Sequence, residues 1–184
     1  MPDLFREEFD ALEFGAARTG DHRAAALRMN QLATTGAQTG EMTRAEAYLR
    51  AGEQWLLADD PEAAATGFRQ ALAAGGQTFV DARVSLARAL FLLGRADEGK
   101  ALINQLEADG RQDPRLCDLV AELLVEQSDL IGALDWANTG VERCLAISSG
   151  TDQNELRLLL SLRYRIRNDM GLDEDNYDKM LDEL

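Results

Sequence analysis

The sequence predicts an all-α fold of about ten helices paired as antiparallel hairpins, and three observations predict it. No stretch alternates β-branched and polar residues long enough to make a strand. Apolar residues instead recur at helical spacing along the chain. Glycines and two Asp-Pro starts punctuate those periodic segments at short intervals, with few residues left for connections.

Leu4, Phe5, Phe9, Leu12 and Phe14 mark a first helix near 3–18, closed by Gly20-Asp21. Ala24, Leu27, Met29 and Leu32 line a second, to about 34, and residues 35–40 read as a loop by composition. A third helix near 42–58 carries Ala47, Tyr48, Ala51, Trp55 and Leu56. Asp59-Asp60-Pro61-Glu62 then offers an acidic cap, proline in the first turn and a carboxylate at the positive end of the helix dipole. The helix it opens holds Ala64, Ala65, Phe68, Ala71 and Leu72 and ends at Gly75-Gly76. Further helices fall near 78–93, closed by Gly94, and near 96–108, closed by Gly110. Asp113-Pro114 starts the next, to about 127, and another runs from Leu130 to about Ile147. Ser148 to Asp152 make a turn and cap before a long helix at about 153–169 and a short acidic tail helix.

Small residues repeat within this string. Gly52 and Ala64, Ala87 and Gly99, and Ala121 and Ala133 are each 12 apart, and successive pairs are displaced by 35 and then 34 residues. A small side chain at a fixed place marks where two helix backbones approach closely; a large one there costs about 1–3 kcal/mol of overpacking. A bulky residue follows the first small one by three positions in each copy: Trp55, Leu90 and Leu124. Phe68 and Ile103 follow the second by four; Ala137 does not, with Trp136 beside it as the substitute.

With Tyr48, Gly52, Trp55, Ala64, Phe68 and Ala71 in the first copy, this pattern resembles the tetratricopeptide repeat, a 34-residue helix–turn–helix unit. The second copy keeps Leu86, Ala87, Leu90, Gly94, Gly99 and Ile103, and the third Val120, Ala121, Leu124 and Ala133. The closing prolines of the family are missing, and 139–152 departs from its pattern. The resemblance implies a right-handed α-solenoid of stacked antiparallel hairpins forming one domain over 1–184, with repeats at 5–38, 45–78, 80–113 and 114–147 and capping helices at 151–184. An irregular helical bundle with coincidental spacing is the alternative.

Hairpins that cannot bury their apolar faces alone stack and share a core, and their first helices line a concave groove. The expected groove residues are Leu49, Arg50, Glu53 and Leu56, then Val84, Arg88 and Phe91, then Arg115, Asp118, Leu119 and Glu122. For each, a solvated or self-packed helix face is the alternative. Some family members clamp a C-terminal carboxylate with Lys and Asn; the matching positions here are Leu49, Glu53, Ser85, Arg115 and Leu119, so that clamp is absent. The resemblance implies a non-enzymatic scaffold that holds a peptide segment or helix of a partner protein. The alternative is a small acidic chaperone or holdase, acting alone or as a self-associated dimer.

Composition agrees with a packed protein that avoids polyanions. Hydrophobic residues make up 46% of 184, and Lys+Arg 19 against Asp+Glu 33 leave a net charge of −14. A nucleic-acid backbone or an anionic membrane would repel such a chain, so neither is an expected partner. The acidic start carries no signal-peptide h-region, no apolar run approaches the roughly 20 residues of a membrane span, and a cytoplasmic location is the expectation. Cys117 and Cys144, the only cysteines, read as reduced core thiols. His22, the one histidine, is expected to face water. No nucleophile elbow, zinc-helix or phosphate-loop motif occurs, so no catalytic residue, cofactor or metal is expected. Asp173-Glu174-Asp175 starts like a calcium loop, but Asp178 stands where glycine is needed and Leu184 where the bidentate Glu is needed. Arg157, Arg163, Arg165 and Arg167 cluster near the C-terminus, ahead of a tail in which seven acids face Lys179 alone. They read as a capping helix paired with the chain's own acids, or as a docking patch.

Overall fold

The computed structural model describes residues 4–35, 42–110, 113–146 and 153–181. Of the loop expected at 35–40, Thr35 is still the last residue of a helix and 36–40 lie outside the described residues, as do the turn at 148–152 and residues 182–184. Every element among the described residues is a helix. They are α1 (Leu4–Thr19), α2 (His22–Thr35), α3 (Arg44–Leu57), α4 (Pro61–Ala74), α5 (Ala82–Leu92), α6 (Ala96–Ala108), α7 (Pro114–Glu126), α8 (Leu130–Ala146), α9 (Gln153–Asp169) and α10 (Asn176–Leu181). The chain forms two compact units, 1–103 and 104–184.

Three hairpin turns are built alike. Each first helix closes on a left-handed residue: Asp59 (φ 56°), Gly94 (φ 71°) and Ser128 (φ 59°). In each, the next amide donates back to a carbonyl five residues earlier: Asp60 to Trp55 at 3.0 Å, Arg95 to Leu90 at 2.9 Å and Asp129 to Leu124 at 2.9 Å. The left-handed residue itself donates to Leu56, Phe91 and Val125 in turn. This pair of bonds satisfies the orphan carbonyls at a helix C-terminus. The residue after the turn starts the second helix. Asp60 accepts from Ala63 N–H at 3.1 Å, with Pro61 in the first turn, and Asp129 accepts from Gly132 N–H at 3.2 Å. The Asp59-Asp60 pair therefore divides its work: Asp60 caps, and Asp59 takes the left-handed corner.

In the first unit, α1 to α5 pack in consecutive pairs around a core of Phe9, Met29, Tyr48, Leu49, Trp55, Phe68, Leu86 and Leu90. Alanines fill the space between, with Ala26, Ala47, Ala51, Ala64, Ala65 and Ala89 fully buried. The repeated small positions Gly52, Ala64, Ala87, Gly99, Ala121 and Ala133 are all buried. Two of them show the reason. A Cβ on Gly52 would lie 2.4 Å from Cε1 of Phe68, and one on Gly99 would lie 2.8 Å from Cε1 of Phe91.

In the second unit α7 packs on α8, and both on α9. Gly140 of α8 repeats the device: a Cβ there would lie 2.7 Å from Leu159 Cδ2 and 2.9 Å from Cys117 Cβ. Cys117 and Cys144 are buried thiols outside any disulfide, as expected of core thiols. Burial, with Asp113 nearby, pushes the Cys117 thiol up to about 12, so it stays protonated at neutral pH.

Two expectations need correction. The helix expected from 78 starts at Ala82, because Asp81 caps it by accepting from Arg83 N–H at 3.0 Å and residues 77–80 run outside any helix. His22 does not face water: its Nδ1 lies 2.9 Å from Oε1 of the buried Gln54, since α2 packs on α3.

Candidate functional site

The described residues of the first unit contain a cleft on the open side of α3, walled by α1 and by residues 77–80. It comprises two hollows of about 330 and about 240 Å³ that share Glu46, Arg50 and Phe79. Met42 and Thr43 line one end and Asp10, Glu13, Leu49 and Glu53 the other. Thr43 fixes the start of α3 by accepting from Glu46 N–H, and its hydroxyl donates to Gln77 C=O at 2.8 Å. Glu46 accepts from Phe79 N–H at 2.8 Å. These bonds hold the 77–79 backbone against the head of α3 and turn the Phe79 side chain outward, where it is 70% exposed.

Arg50 crosses the cleft to α1. Its Nε and Nη2 donate to Glu13 at 2.7 and 2.6 Å, and Nη2 also reaches Asp10 at 2.6 Å. The guanidinium lies 5.5 Å from the Phe9 ring centroid. This fork engages Arg50, and with Arg6 as the other cation on the lining, the carboxylates of Asp10, Glu13, Glu46 and Glu53 still outnumber the guanidinium groups. Glu53, one turn along α3, is half-buried; burial first, then the charges of Glu13 and Glu46, push its carboxyl up to about 7 against the pull of Arg50 and Arg88.

The residues expected to line a groove separate by environment. Leu49, Arg50 and Glu53 meet at the cleft. Leu49, Val84 and Phe91 are buried, and Leu56 and Arg88 are half-buried. Leu49 and Leu56 pack with the core, and Phe91 lays its ring on Gly99. In the second unit Arg115 is exposed and Leu119 half-buried. Asp118 is half-buried with its carboxyl raised by burial and by Glu122, and Glu122 accepts from Arg165 of α9 at 3.0 Å. The cleft residues that sequence reasoning missed are Asp10, Glu13, Glu46 and Phe79. An aromatic stranded between Gly75-Gly76 and the Asp81 cap was the available signal for Phe79.

Three of the four α9 arginines, Arg163, Arg165 and Arg167, pair within the chain. Arg163 binds Asp175 and Asp178, Arg167 binds Asp178 at 3.0 Å, and Arg165 binds Glu122. Of the acids in and after the run that starts like a calcium loop, Asp175 and Asp178 are engaged by guanidinium groups, and the described residues hold no group of three His, Cys, Asp or Glu arranged for a metal.

Residues 56–123, from the end of α3 into α7, match the family model of the tetratricopeptide repeat. Over this stretch the protein is tetratricopeptide-repeat-like. The matched segment holds α4 to α6 whole and the turns at Asp59 and Gly94, so family and geometry coincide on the repeated corner. Tetratricopeptide repeats typify protein-interaction scaffolds. No curated protein matches the chain. Among the described residues, no helix is long and apolar enough to cross a membrane.

Proposed function

We propose that the protein is a non-enzymatic scaffold that holds a peptide segment or helix of a partner protein on the first unit, at the cleft beside α3. One observation carries this reading. An exposed aromatic ring, Phe79, stands beside a half-buried carboxyl, Glu53, across a hollow whose one forked cation is already engaged. That pairing suits a segment with an apolar side chain for Phe79 and a lysine or arginine for Glu53. A cation entering beside Glu53 stabilises its charged form, so binding releases a proton below pH 7 and affinity rises with pH up to about 7.

Selection from a random peptide display library tests the reading. Enriched peptides should combine Lys or Arg with an apolar residue. They should bind Glu53→Gln and Phe79→Ser at least tenfold more weakly, and lose their pH dependence on Glu53→Gln. Peptides that bind parent and variants alike would place recognition elsewhere.

A further inference from the structure

Residues 172–181 include Leu172, Tyr177, Met180 and Leu181, yet the one buried side chain among them is Asp178. Leu172 is exposed and Tyr177, Met180 and Leu181 are half-buried, so the fully buried contacts that fasten this segment are those of the α9 arginines. Arg163, whose side chain is 4% exposed, donates from Nε to Asn138 at 2.7 Å. Its Nη1 donates to Asp175 at 3.0 Å and Asp178 at 2.8 Å, its Nη2 donates to Asp175, and its guanidinium lies 5.0 Å from the Tyr177 ring centroid. Arg167 donates to Asp178 at 3.0 Å and to the carbonyl of Asp173, and its Nη1 lies 3.2 Å from Asp175.

The two carboxylates are presented as a unit. Asp175 caps α10 by accepting from Tyr177 and Asp178 N–H at 2.9 and 3.2 Å, and Asp178 accepts from Asp175 N–H at 3.0 Å. This reciprocal capping box fixes two acids three residues apart, at the spacing that the two guanidinium groups read. A buried arginine stripped of its partners is strongly disfavoured. Exchange of one acidic helix start for another would keep both guanidinium groups partnered and the charge count in the site unchanged. α9 closes on Gly171 (φ 68°) with the bonds of the hairpin corners, Gly171 N–H to Asn168 C=O and Leu172 N–H to Arg167 C=O, both at 3.0 Å, which leaves the exposed Leu172–Glu174 as the link to the segment.

We propose that Arg163 and Arg167 form a binding site for an acidic helix start of the form Asp-x-x-Asp, occupied in cis by residues 173–181, and that the same segment of a second copy of this chain exchanges into it.

Full-length chain carrying Asp175→Asn and Asp178→Asn together, with its site intact and its own segment weakened, tests this. A fluorescent peptide of residues 172–181 should bind that variant at least tenfold more tightly than it binds the native chain, where the cis segment competes. The same peptide with both aspartates changed to Asn should not bind. In the complementary experiment, mixing the double variant with full-length Arg163→Met should give a heterodimer by light scattering that neither forms alone. A helical double variant that ignores the peptide, or binds both peptides equally, overturns the proposal. Should the double variant not fold, the native chain with peptide in large excess decides: capture supports the exchange, and no capture overturns it.

Discussion

Glu53 sits in a half-buried position between Glu13 and Glu46, and its surroundings set when it ionises. Its ordinary value is 4.5 and its folded value about 7. Between the two, the folded chain keeps a proton that the unfolded chain has lost. Stability therefore falls as pH rises through this window and levels off above it. Glu53→Gln removes the effect. It should raise stability at pH 8 by on the order of 1–3 kcal/mol and change little at pH 4, read by urea unfolding at the two pH values. A variant equally destabilised at both would contradict the burial argument. Asp175 runs in the opposite sense. The hydrogen bond from Arg163, against some burial, holds its carboxyl down at about 2. Its contribution is complete above its ordinary 3.8 and is lost as pH falls through about 2, so Asp175→Asn should lower the urea midpoint at pH 7 and lower it less at pH 2; an equal loss at both would contradict the pairing with Arg163. Of this scale the sequence made legible Leu49, Arg50 and Glu53, because helical spacing places them on one face of α3. It could not reveal Glu13 and Asp10 as the partners of Arg50, since that pairing depends on where α1 lies.

At the scale of elements, the helices were legible because caps and periodicity agree. Asp60-Pro61 and Asp113-Pro114 start helices where expected, and α9 spans 153–169 as expected. The start of α5 was not legible, since Thr78, Phe79 and Val80 extend the apolar pattern past the residue that caps the helix. The repeated corner adds a consequence. Gly94 occupies the left-handed position without a Cβ, whereas Asp59 and Ser128 hold it with a side chain. A left-handed non-glycine residue costs about 1–2 kcal/mol, partly offset by the greater freedom of glycine in the unfolded chain. Ser128 is exposed and donates its amide to Val125 as the turn requires. Ser128→Gly should therefore stabilise by about 0.5–1 kcal/mol, seen as a higher urea midpoint at unchanged slope. A loss of stability would mean that the corner is not in this conformation.

Over the whole molecule, a net charge of −14 opposes compaction through self-repulsion. Moderate salt screens it, because the Debye length falls to about 8 Å at physiological ionic strength. Raising NaCl from low millimolar to physiological should raise Tm; a fall would mean that the ion pairs outweigh the repulsion. The same helix-seating device recurs along the chain: a side chain from one helix occupies the space where Gly52, Gly99 or Gly140 lacks a Cβ. The spacing of small residues made the first two visible in the sequence. Gly140 was not visible, because its partner Leu159 lies beyond the 139–152 stretch where the repeat pattern stops. The most direct measurement is the unfolding free energy of Gly52→Ala, Gly99→Ala and Gly140→Ala. Inside a helix this exchange ordinarily stabilises by about 0.5–1 kcal/mol. Seated against Phe68, Phe91 and Leu159, all three should instead destabilise, by about 1–3 kcal/mol each. Stabilisation at the three sites would contradict the packing from which the repeats, and the cleft beside α3, are built.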